Sequence, residues 1–201
     1  MPNHIMNRVT FLGRKENVEK AIELMGPDFD LNKIAEEPED LSKEVRQAAV
    51  EAARDYIENH SDEDLESYAD RTLNVYPRNV ATYPENVIAD GVVEDFRRCV
   101  GNKRKYGYYW WYEWRMKNWG CKWNTYEHGD FGVFLTANSP CREAYRRISE
   151  RFGITVKVLF ADEDRGFNCG IITTKNGYLT EWNPEPGSGR AKEFADSVWN
   201  S

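Results

Sequence analysis

Apolar and polar positions near the start of the chain change from strand-like to helix-like spacing. Residues 4–11 form a short mixed run before Gly13 and predict a strand. A helical stripe follows and stops at Gly26-Pro27; its members are Val18, Ala21, Ile22 and Met25. Residues 29–34 alternate again, which predicts a second, partly exposed strand. The opening of the chain therefore predicts a strand, a helix and a strand.

A similar order recurs in the C-terminal third. Residues 131–136 predict a buried strand. Ser139 offers an N-cap hydroxyl, and Pro140 suits the first position of a helix that Gly153 ends. Residues 155–160 are rich in β-branched side chains and predict the next strand. This region therefore predicts a second β-α-β pattern.

The last forty residues predict a hairpin and a helix. Residues 167–174 and Tyr178–Trp182 flank Asn176-Gly177, a dipeptide that suits a type I′ turn, and residues 191–199 have helical spacing. Two β-α-β patterns with a hairpin indicate an α+β fold. We expect a ferredoxin-like antiparallel sheet with helices on one face, built from residues 3–34 and 131–182.

About ninety residues between the two patterns exceed what a ferredoxin-like plan requires. Three stretches have helical character, namely residues 41–58, 62–68 and 85–99. Pro77 and Pro84 interrupt the chain before the last of these. We therefore expect a single domain of residues 1–201 in which residues 36–125 form a large, mostly helical insertion.

Composition indicates the cellular compartment and the state of the cysteines. The chain has 201 residues, is 40% hydrophobic, and contains no apolar run long enough to span a membrane. The N-terminus lacks the pattern of a signal peptide. The four cysteines lie far apart without a C-x-x-C motif. We expect reduced thiols, no membrane partner and a cytoplasmic location.

Charge is distributed unevenly along the chain. Residues 28–70 hold fifteen acidic and four basic side chains, whereas residues 97–123 hold eight basic side chains and one acid, in a protein of net charge −7. The two blocks either neutralise each other within the chain, or the acidic block forms a surface that competes with nucleic acid, or the basic block forms a face that attracts an anionic ligand. The sequence leaves these alternatives open.

The aromatic stretch of residues 106–123 is the main candidate site, because it holds five of the seven tryptophans. Such rings either fill a core or stack on a planar ligand. Trp111 and Trp114 lie within the predicted helix and are expected to be core, whereas Lys122 and Trp123 follow Gly120, where the helix is expected to end. The candidate ligand-binding residues are Trp111, Arg115, Lys117, Asn118, Trp119, Lys122 and Trp123, whose rings would hold a planar group while the cations meet phosphate.

Other motifs predict no catalytic residue, metal site or cofactor. His4, His60 and His128 lack the spacing of zinc ligands. A pairing of Cys121 with His128 as nucleophile and base is a weak alternative. The acidic turn of residues 162–164 is more typical of a solvated loop than of a cation site. Residues 186–190 open a helix, and helix starts attract anions, but they lack the P-loop pattern.

Three groups of residues together resemble the YubB-like ferredoxin-like proteins of plasmids and phages. The first is Met1-Pro2-Asn3-His4 with Asn7, Arg8, Phe11 and Gly13; the second is Trp111-Tyr112-Glu113-Trp114 with Asn118-Trp119-Gly120 and Lys122-Trp123-Asn124; the third is Thr136-Ala137 with Ser139. The chain departs from the family pattern at Cys121, Asn138 and Cys141. The resemblance implies a ferredoxin-like fold and a mobile-element origin, and brings no catalytic residue or ligand with it.

These observations favour a non-enzymatic binding protein from a mobile genetic element. Its expected ligand is an anionic planar small molecule of the nucleotide type, captured as a way of antagonising host defence. The alternatives are a protein–protein inhibitor that uses the acidic helical insertion against a host protein, and a nucleotide-processing enzyme. Direct nucleic-acid binding is less favoured. The sequence leaves the ligand's identity and the oligomeric state open.

Overall fold

The first and last parts of the chain form a five-stranded antiparallel sheet. The structure is a computed structural model that describes residues 3–73 and 85–200, and it describes side chains for residues 3–73 and 91–200. The strands of the sheet are β1 (His4–Leu12), β2 (Val133–Ala137), β3 (Thr155–Asp162), β4 (Cys169–Lys175) and β5 (Tyr178–Trp182), in the order β2-β1-β3-β4-β5. β1 therefore lies between β2 and β3, the two strands that the chain joins through a helix. This is the split β-α-β arrangement of a ferredoxin-like sheet, as predicted.

Eight α-helices accompany the sheet in the described part of the chain. They are α1 (Lys15–Met25), α2 (Glu39–Ser42), α3 (Gln47–Asn59), α4 (Leu65–Leu73), α5 (Glu85–Tyr106), α6 (Trp111–Asn118), α7 (Arg142–Phe152) and α8 (Gly189–Asn200). A single 3₁₀ turn, Leu31–Lys33, follows α1. None of the described helices has the length and apolar character needed to cross a membrane.

The strands present two different faces, and each face is covered by helix. Asn7 of β1 points to the side of α7, where the Tyr145 hydroxyl donates to its Oδ1 at 2.8 Å. α1 packs against α7, so these two helices form the expected layer on one face. Met6, the neighbour of Asn7, points to the opposite face and packs in a cluster with Ala195 and Val198 of α8. The closing helix therefore adds a layer to the other side of the sheet.

Asn7 is a fully buried polar side chain whose hydrogen-bonding groups are all used. Its amide nitrogen donates to the Ile5 carbonyl and to Thr136 Oγ1, each at 2.9 Å, and its oxygen accepts from Tyr145. A buried amide is costly unless it is paired in this way. The arrangement therefore links β1, β2 and α7 at a defined register.

The strand predicted at residues 29–34 is absent from the described structure, and this prediction was wrong. Leu31–Lys33 is a 3₁₀ turn, and the Asp30 side chain accepts from the Asn32 backbone N–H at 3.0 Å. Phe29 and Leu31 are both fully buried, which explains the alternation. A six-residue alternating run does not distinguish a strand from a capped turn whose apolar side chains point inward.

Two predicted helix starts were also misplaced. α4 begins at Leu65, where Asp64 accepts from the Ser67 backbone N–H at 3.0 Å, so this acid and not Ser61 caps the helix. α7 begins at Arg142 with Cys141 as the N-cap, two residues beyond the predicted start. The Ser139 hydroxyl instead donates to the Gly120 carbonyl at 2.9 Å.

The helix predicted at residues 41–58 is interrupted. α2 ends at Ser42, and α3 begins at Gln47 after an extended Arg46. Both the backbone N–H and the guanidinium of Arg46 donate to Asp95, at 3.1 and 2.7 Å. Because this tertiary contact uses the Arg46 backbone N–H, it favours a break over the continuous helix that the apolar stripe suggests. Pro77, Pro84 and the opening Met1-Pro2 lie outside the described residues.

The chain divides into two compact units. One comprises residues 1–36 and 115–201 and contains the sheet; the other comprises residues 37–114. The second unit has its own apolar core, built around Tyr56, Tyr68 and Phe96. Residues 115–125, which the sequence suggested were part of the insertion, belong to the sheet unit.

Acidic and basic side chains pair within the second unit. Glu66 forms an ion pair with Arg97, and Asp40 accepts from Lys105 at 2.9 Å. These contacts join the acidic and basic blocks of the sequence, so part of the charge asymmetry is neutralised inside the chain. Surface pairs of this kind contribute little stability individually.

We expect Asp30→Asn to lower the free energy of unfolding by about 1 kcal/mol at pH 7, because a charge-assisted acceptor for Asn32 and Asn124 is lost. Burial raises the pKa of Asp30, but the hydrogen bonds from Asn124 and Asn32 outweigh burial and lower that pKa below its usual value. The stabilisation is therefore present above the carboxyl pKa of the unfolded chain, about 3.9, and is lost as pH falls through the lower folded value.

Urea denaturation at a series of pH values measures this effect. The difference between parent and variant should be constant above about pH 5 and should shrink below about pH 4. Asp28→Asn, at an exposed neighbouring carboxylate, is the matched control and should leave stability unchanged. An equal loss in both variants would contradict the role given to Asp30.

Candidate functional site

The aromatic segment changes from helix to loop at Gly120. α6 ends at Asn118, and the N–H groups of Trp119 and Gly120 both donate to the Arg115 carbonyl, at 2.7 and 3.0 Å. Gly120 has φ +86°, and an added Cβ would lie 2.8 Å from the Glu143 backbone nitrogen. Glycine therefore satisfies both the left-handed turn and the close approach to the start of α7. The predicted helix end is confirmed.

Trp119 lies in the core. Its side chain is 1% exposed, and its indole N–H donates to the Ala35 carbonyl at 2.8 Å. The Arg115 guanidinium lies 5.4 Å from the centre of the ring. A large buried ring with a satisfied N–H is a packing anchor. The structure therefore offers no exposed stacking surface at Trp119, although this residue was among the candidate ligand-binding residues.

Cys121 continues this anchor into the interior. It is fully buried, and its thiol donates to the Trp123 carbonyl at 3.1 Å. Burial, followed by the neighbouring Cys141, raises the pKa of the Cys121 thiol well above its usual value. Cys141 in turn donates to the hydroxyl of Tyr145, the partner of Asn7. The loop after Gly120 is thus connected to the polar centre of the sheet unit.

After Gly120 the segment reaches the surface at Trp123, beside a partly buried Lys122; these two residues are called here the Lys122–Trp123 corner. The Trp123 side chain is 38% exposed, and the Lys122 ammonium lies 5.0 Å from the centre of its ring. This contact falls within the range of cation–π attraction. The corner combines an accessible indole with a positive charge, as expected from its position after Gly120.

The chain is fixed again immediately beyond the corner. Asn124 Oδ1 accepts from the Leu31 backbone N–H at 2.9 Å, and its amide nitrogen donates to Asp30 at 2.7 Å. The Thr125 hydroxyl donates to the Asp28 carbonyl at 2.8 Å. With Cys121 buried on the other side, both ends of this two-residue corner are held. A stacking surface at this position would be largely preorganised.

The other candidate residues are distributed around α6. Lys117 is exposed, and Asn118 accepts from Arg147 of α7 at 2.8 Å. Arg147 was missed from the sequence because nothing in its local pattern indicates a contact 29 positions away. Trp111, in the second unit, was expected in the core but is partly exposed, with its ring 5.4 Å from that of Trp110. Trp114 is 7% exposed, as expected for a core position.

Cys121 and His128, the nucleophile and base that the sequence suggested, have other hydrogen-bond partners in the structure. His128 Nε2 contacts Thr125 Oγ1 at 3.0 Å, and Cys121 is hydrogen-bonded elsewhere, so the structure does not show the Cys121–His128 pair. Within residues 3–73 and 91–200, no group of three or more side chains is arranged to hold a metal ion. Asp162 instead accepts from Asn3 and Asn168, at 3.1 Å each, and ties the start of β1 to the β3–β4 loop.

A separate cavity of about 250 Å³ lies at the end of the sheet near the start of α8. Its lining includes an ion pair in which Arg142 Nε and Nη2 donate to Glu181 at 2.7 and 2.8 Å. Asn168 and Asn183 contribute amide groups to the lining. None of the candidate ligand-binding residues lines this cavity.

Comparison with known proteins identifies the class of fold. Residues 118–200 match the family model described as the ferredoxin-like domain in Api92-like protein. The matched region runs from the end of α6 through α8 and includes the Lys122–Trp123 corner. The chain therefore carries a ferredoxin-like domain of the α+β class.

One solved structure is similar across most of the chain. It is the crystal structure of a protein api92 from Yersinia pseudotuberculosis, with 10% sequence identity and a TM-score of 0.39, covering 92% of this chain and 100% of that one. Similarity at this level carries no inference about function. No curated protein matches the chain.

The different burial of two tryptophans predicts different stability losses. Trp119→Ala should lower the free energy of unfolding by roughly 3–5 kcal/mol, because it leaves a cavity and an unpaired Ala35 carbonyl. Trp123→Ala should cost less than about 1 kcal/mol, since the ring is partly exposed. Chemical denaturation of both variants measures the difference. Equal losses would contradict the assignment of Trp119 to the core and Trp123 to the surface.

The cysteines should react slowly in the folded protein. All four are buried, and burial raises the pKa of Cys99 to about 12 and that of Cys121 well above its usual value. Because the thiolate is the reactive form, titration with a chromogenic disulfide at pH 8 should show no fast phase. In denaturant the same titration should give four thiols. A fast-reacting Cys121 in the native protein would contradict its placement and restore it as a candidate nucleophile.

Proposed function

We propose that this protein is a non-enzymatic binding protein that captures an anionic planar ligand of the nucleotide type at the Lys122–Trp123 corner. The proposed origin is a plasmid or phage, as the resemblance to the YubB-like proteins implies; there the protein would act in the host cytoplasm and sequester a nucleotide signal of host defence. A base would stack on the Trp123 indole, and phosphate would meet Lys122, with Lys117 and Arg115 adding positive charge along the same segment.

The observation that carries this proposal is the exposed Trp123 ring beneath the Lys122 ammonium, at 38% exposure and 5.0 Å. Base–aromatic stacking needs an accessible ring face, and phosphate binding needs a nearby cation. The corner supplies both on a loop fixed by Trp119 and Asn124. A site that is rigid before binding loses less conformational entropy when it captures its ligand.

A second exposed tryptophan, Trp182, could also stack on a planar ligand, and the surrounding charges distinguish it from Trp123. Trp182 is 39% exposed, and the Arg190 guanidinium lies 5.0 Å from its ring centre, almost the same geometry as at Trp123. Residues 115–123 contain three basic side chains and no acid, whereas Trp182 follows Glu181 and is near Glu185 in the sequence. An anionic ligand is therefore expected to prefer Trp123.

The alternatives have weaker support. In the protein–protein inhibitor, the acidic second unit would face a basic host protein, but Glu66 and Asp40 already pair with Arg97 and Lys105. For the nucleotide-processing enzyme, the one nucleophile–base pair that the sequence suggested is Cys121 with His128, and Cys121 is fully buried with its thiol bonded to the Trp123 carbonyl. Both remain outcomes of the ligand experiment.

A nucleotide panel tests the proposal, with calorimetry and tryptophan fluorescence as readouts and product analysis as a check for turnover. Trp123→Ala should weaken binding of the best nucleotide by about 1–3 kcal/mol with little change in melting temperature. Lys122→Ala should also weaken binding, and more so at low salt. Trp182→Ala is the matched control and should bind as the parent does.

Failure would take one of three forms. A parent protein that binds no nucleotide would overturn the proposal, as would unchanged affinity in both corner variants. Conversion of a nucleotide to product would favour the enzyme over the binding protein.

A further inference from the structure

The two edge strands of the sheet, β2 and β5, differ in whether their outer backbone groups are hydrogen-bonded. At the outer edge of β2, Tyr126 and Leu135 exchange two backbone hydrogen bonds, at 3.1 and 2.8 Å, and the Gly129 N–H donates to the Val133 carbonyl at 2.9 Å. The preceding loop therefore covers this edge. At the opposite edge, β5 pairs with β4 on one side, and no strand in the described part of the chain lies on its other side.

Within Tyr178–Trp182 the outer edge of β5 lacks lysine, proline and bulges, and its one charge, Glu181, is bound by Arg142 of the same chain. Proteins commonly protect such edges with lysine or proline in the strand, with bulges or with a covering loop. Tyr178–Trp182 contains neither lysine nor proline, and its register against β4 is uninterrupted over all five residues. The strand has the usual length for a globular protein. Its outer edge is therefore able to accept another strand.

Hairpin geometry shows which backbone groups face outward. Asn176 and Gly177 have φ of 50° and 78°, so the turn is of the I′ type and the Lys175 carbonyl accepts from the Tyr178 N–H. Hydrogen-bonded and non-hydrogen-bonded pairs alternate along an antiparallel ladder. Tyr178, Thr180 and Trp182 therefore bond to β4, and the N–H and C=O groups of Leu179 and Glu181 point outward.

We propose that β5 is the interface of a symmetric homodimer, in which two copies of this chain pair antiparallel about a two-fold axis through Thr180. In this register Leu179 of each copy lies opposite Glu181 of the other, and the two pairs exchange four backbone hydrogen bonds. The pattern is self-complementary, as a two-fold interface requires. The two sheets become one sheet of ten strands.

The side chains on the strand fit the same register. Tyr178, Thr180 and Trp182 lie on one face, and all three are exposed, with Tyr178 at 80%. About the axis, Tyr178 of each copy lies opposite Trp182 of the other, which forms two aromatic cross-strand pairs. Trp182 is already positioned by Phe194, whose ring contacts it edge-on at 5.7 Å. The dimer would cover rings that the single chain leaves in water.

Charge permits a second copy at this edge. Glu181 is the one charged residue of β5, and Arg142 of the same chain binds its carboxylate through two hydrogen bonds. In the proposed register, Glu181 opposes Leu179 of the other copy, so the two carboxylates do not meet. The net charge of −7 still repels the two copies as a whole, and salt should therefore strengthen the dimer.

A five-residue edge is smaller than a standard interface of about 1,600 Å², so the dimer belongs to the weak, concentration-dependent class.

Analytical ultracentrifugation of the full chain over a range of concentrations and salt tests this proposal. The parent should show a monomer–dimer equilibrium that shifts toward dimer as salt rises. Thr180→Lys places two ammonium groups opposite each other at the axis and should weaken the dimer at least about tenfold. Thr173→Lys adds the same charge on β4, where the two lysines would be about 14 Å apart, and should weaken it much less. Trp123→Ala should dimerise as the parent does.

A charge exchange tests the axis itself. Thr180→Lys and Thr180→Glu should each dimerise more weakly than the parent when alone, and mixing them should strengthen dimerisation again, because the ammonium and carboxylate then face each other. Thermal unfolding of each variant verifies that the hairpin is intact. A parent that stays monomeric at all concentrations would overturn the proposal and leave the edge to a strand of a different protein. Dimerisation of both variants at the parent's strength would overturn it as well.

Discussion

The burial of the Trp119 indole, with its N–H bonded to the Ala35 carbonyl, is the interaction on which the candidate site depends. It fixes the end of α6 in the core and brings Gly120 against the start of α7. Since Cys121 is buried next, Trp123 is the first exposed residue after Gly120. One aromatic ring in the core thus determines which other ring is available to a ligand.

The ferredoxin-like sheet supplies the rigid base for this arrangement. β1 lies at the centre of the split β-α-β unit, and its buried Asn7 links β2 and α7 through Thr136 and Tyr145. The Gly120 carbonyl is joined to this region by Ser139, which follows β2. A loop tied to the sheet at several points keeps its geometry better than a free loop, which is the requirement for a preorganised binding surface.

Much of the sheet could be predicted from the sequence, because the turns and strands that form it have strong local sequence patterns. The Asn176-Gly177 turn, the Gly153 helix end and the β-branched run of β3 each have one favoured structure. Two features were predicted wrongly because their structures depend on distant partners. The turn at Leu31–Lys33 is held by Asn124, and the break before α3 is held by Asp95. A local pattern contains no information about such partners.

In the candidate site, too, the features with a local sequence pattern could be predicted and those set by distant contacts could not. A glycine after the helix predicted the exposure of Trp123, which the structure confirms. It could not predict that Trp119, one residue before that glycine, is in the core, because helical spacing gives the direction of a side chain and not what packs against it. Arg147, which donates to Asn118, was hidden for a similar reason: it lies on a different helix.

The most direct measurement of the central claim is two-dimensional NMR of the indole N–H groups, with the seven tryptophans assigned by single substitutions. The account predicts slow hydrogen exchange at the Trp119 indole and fast exchange at the Trp123 indole. Addition of a binding nucleotide should then shift the Trp123 resonance and leave the Trp119 resonance in place. A nucleotide that binds without moving the Trp123 resonance, or a Trp119 indole that exchanges as fast as Trp123, would contradict it.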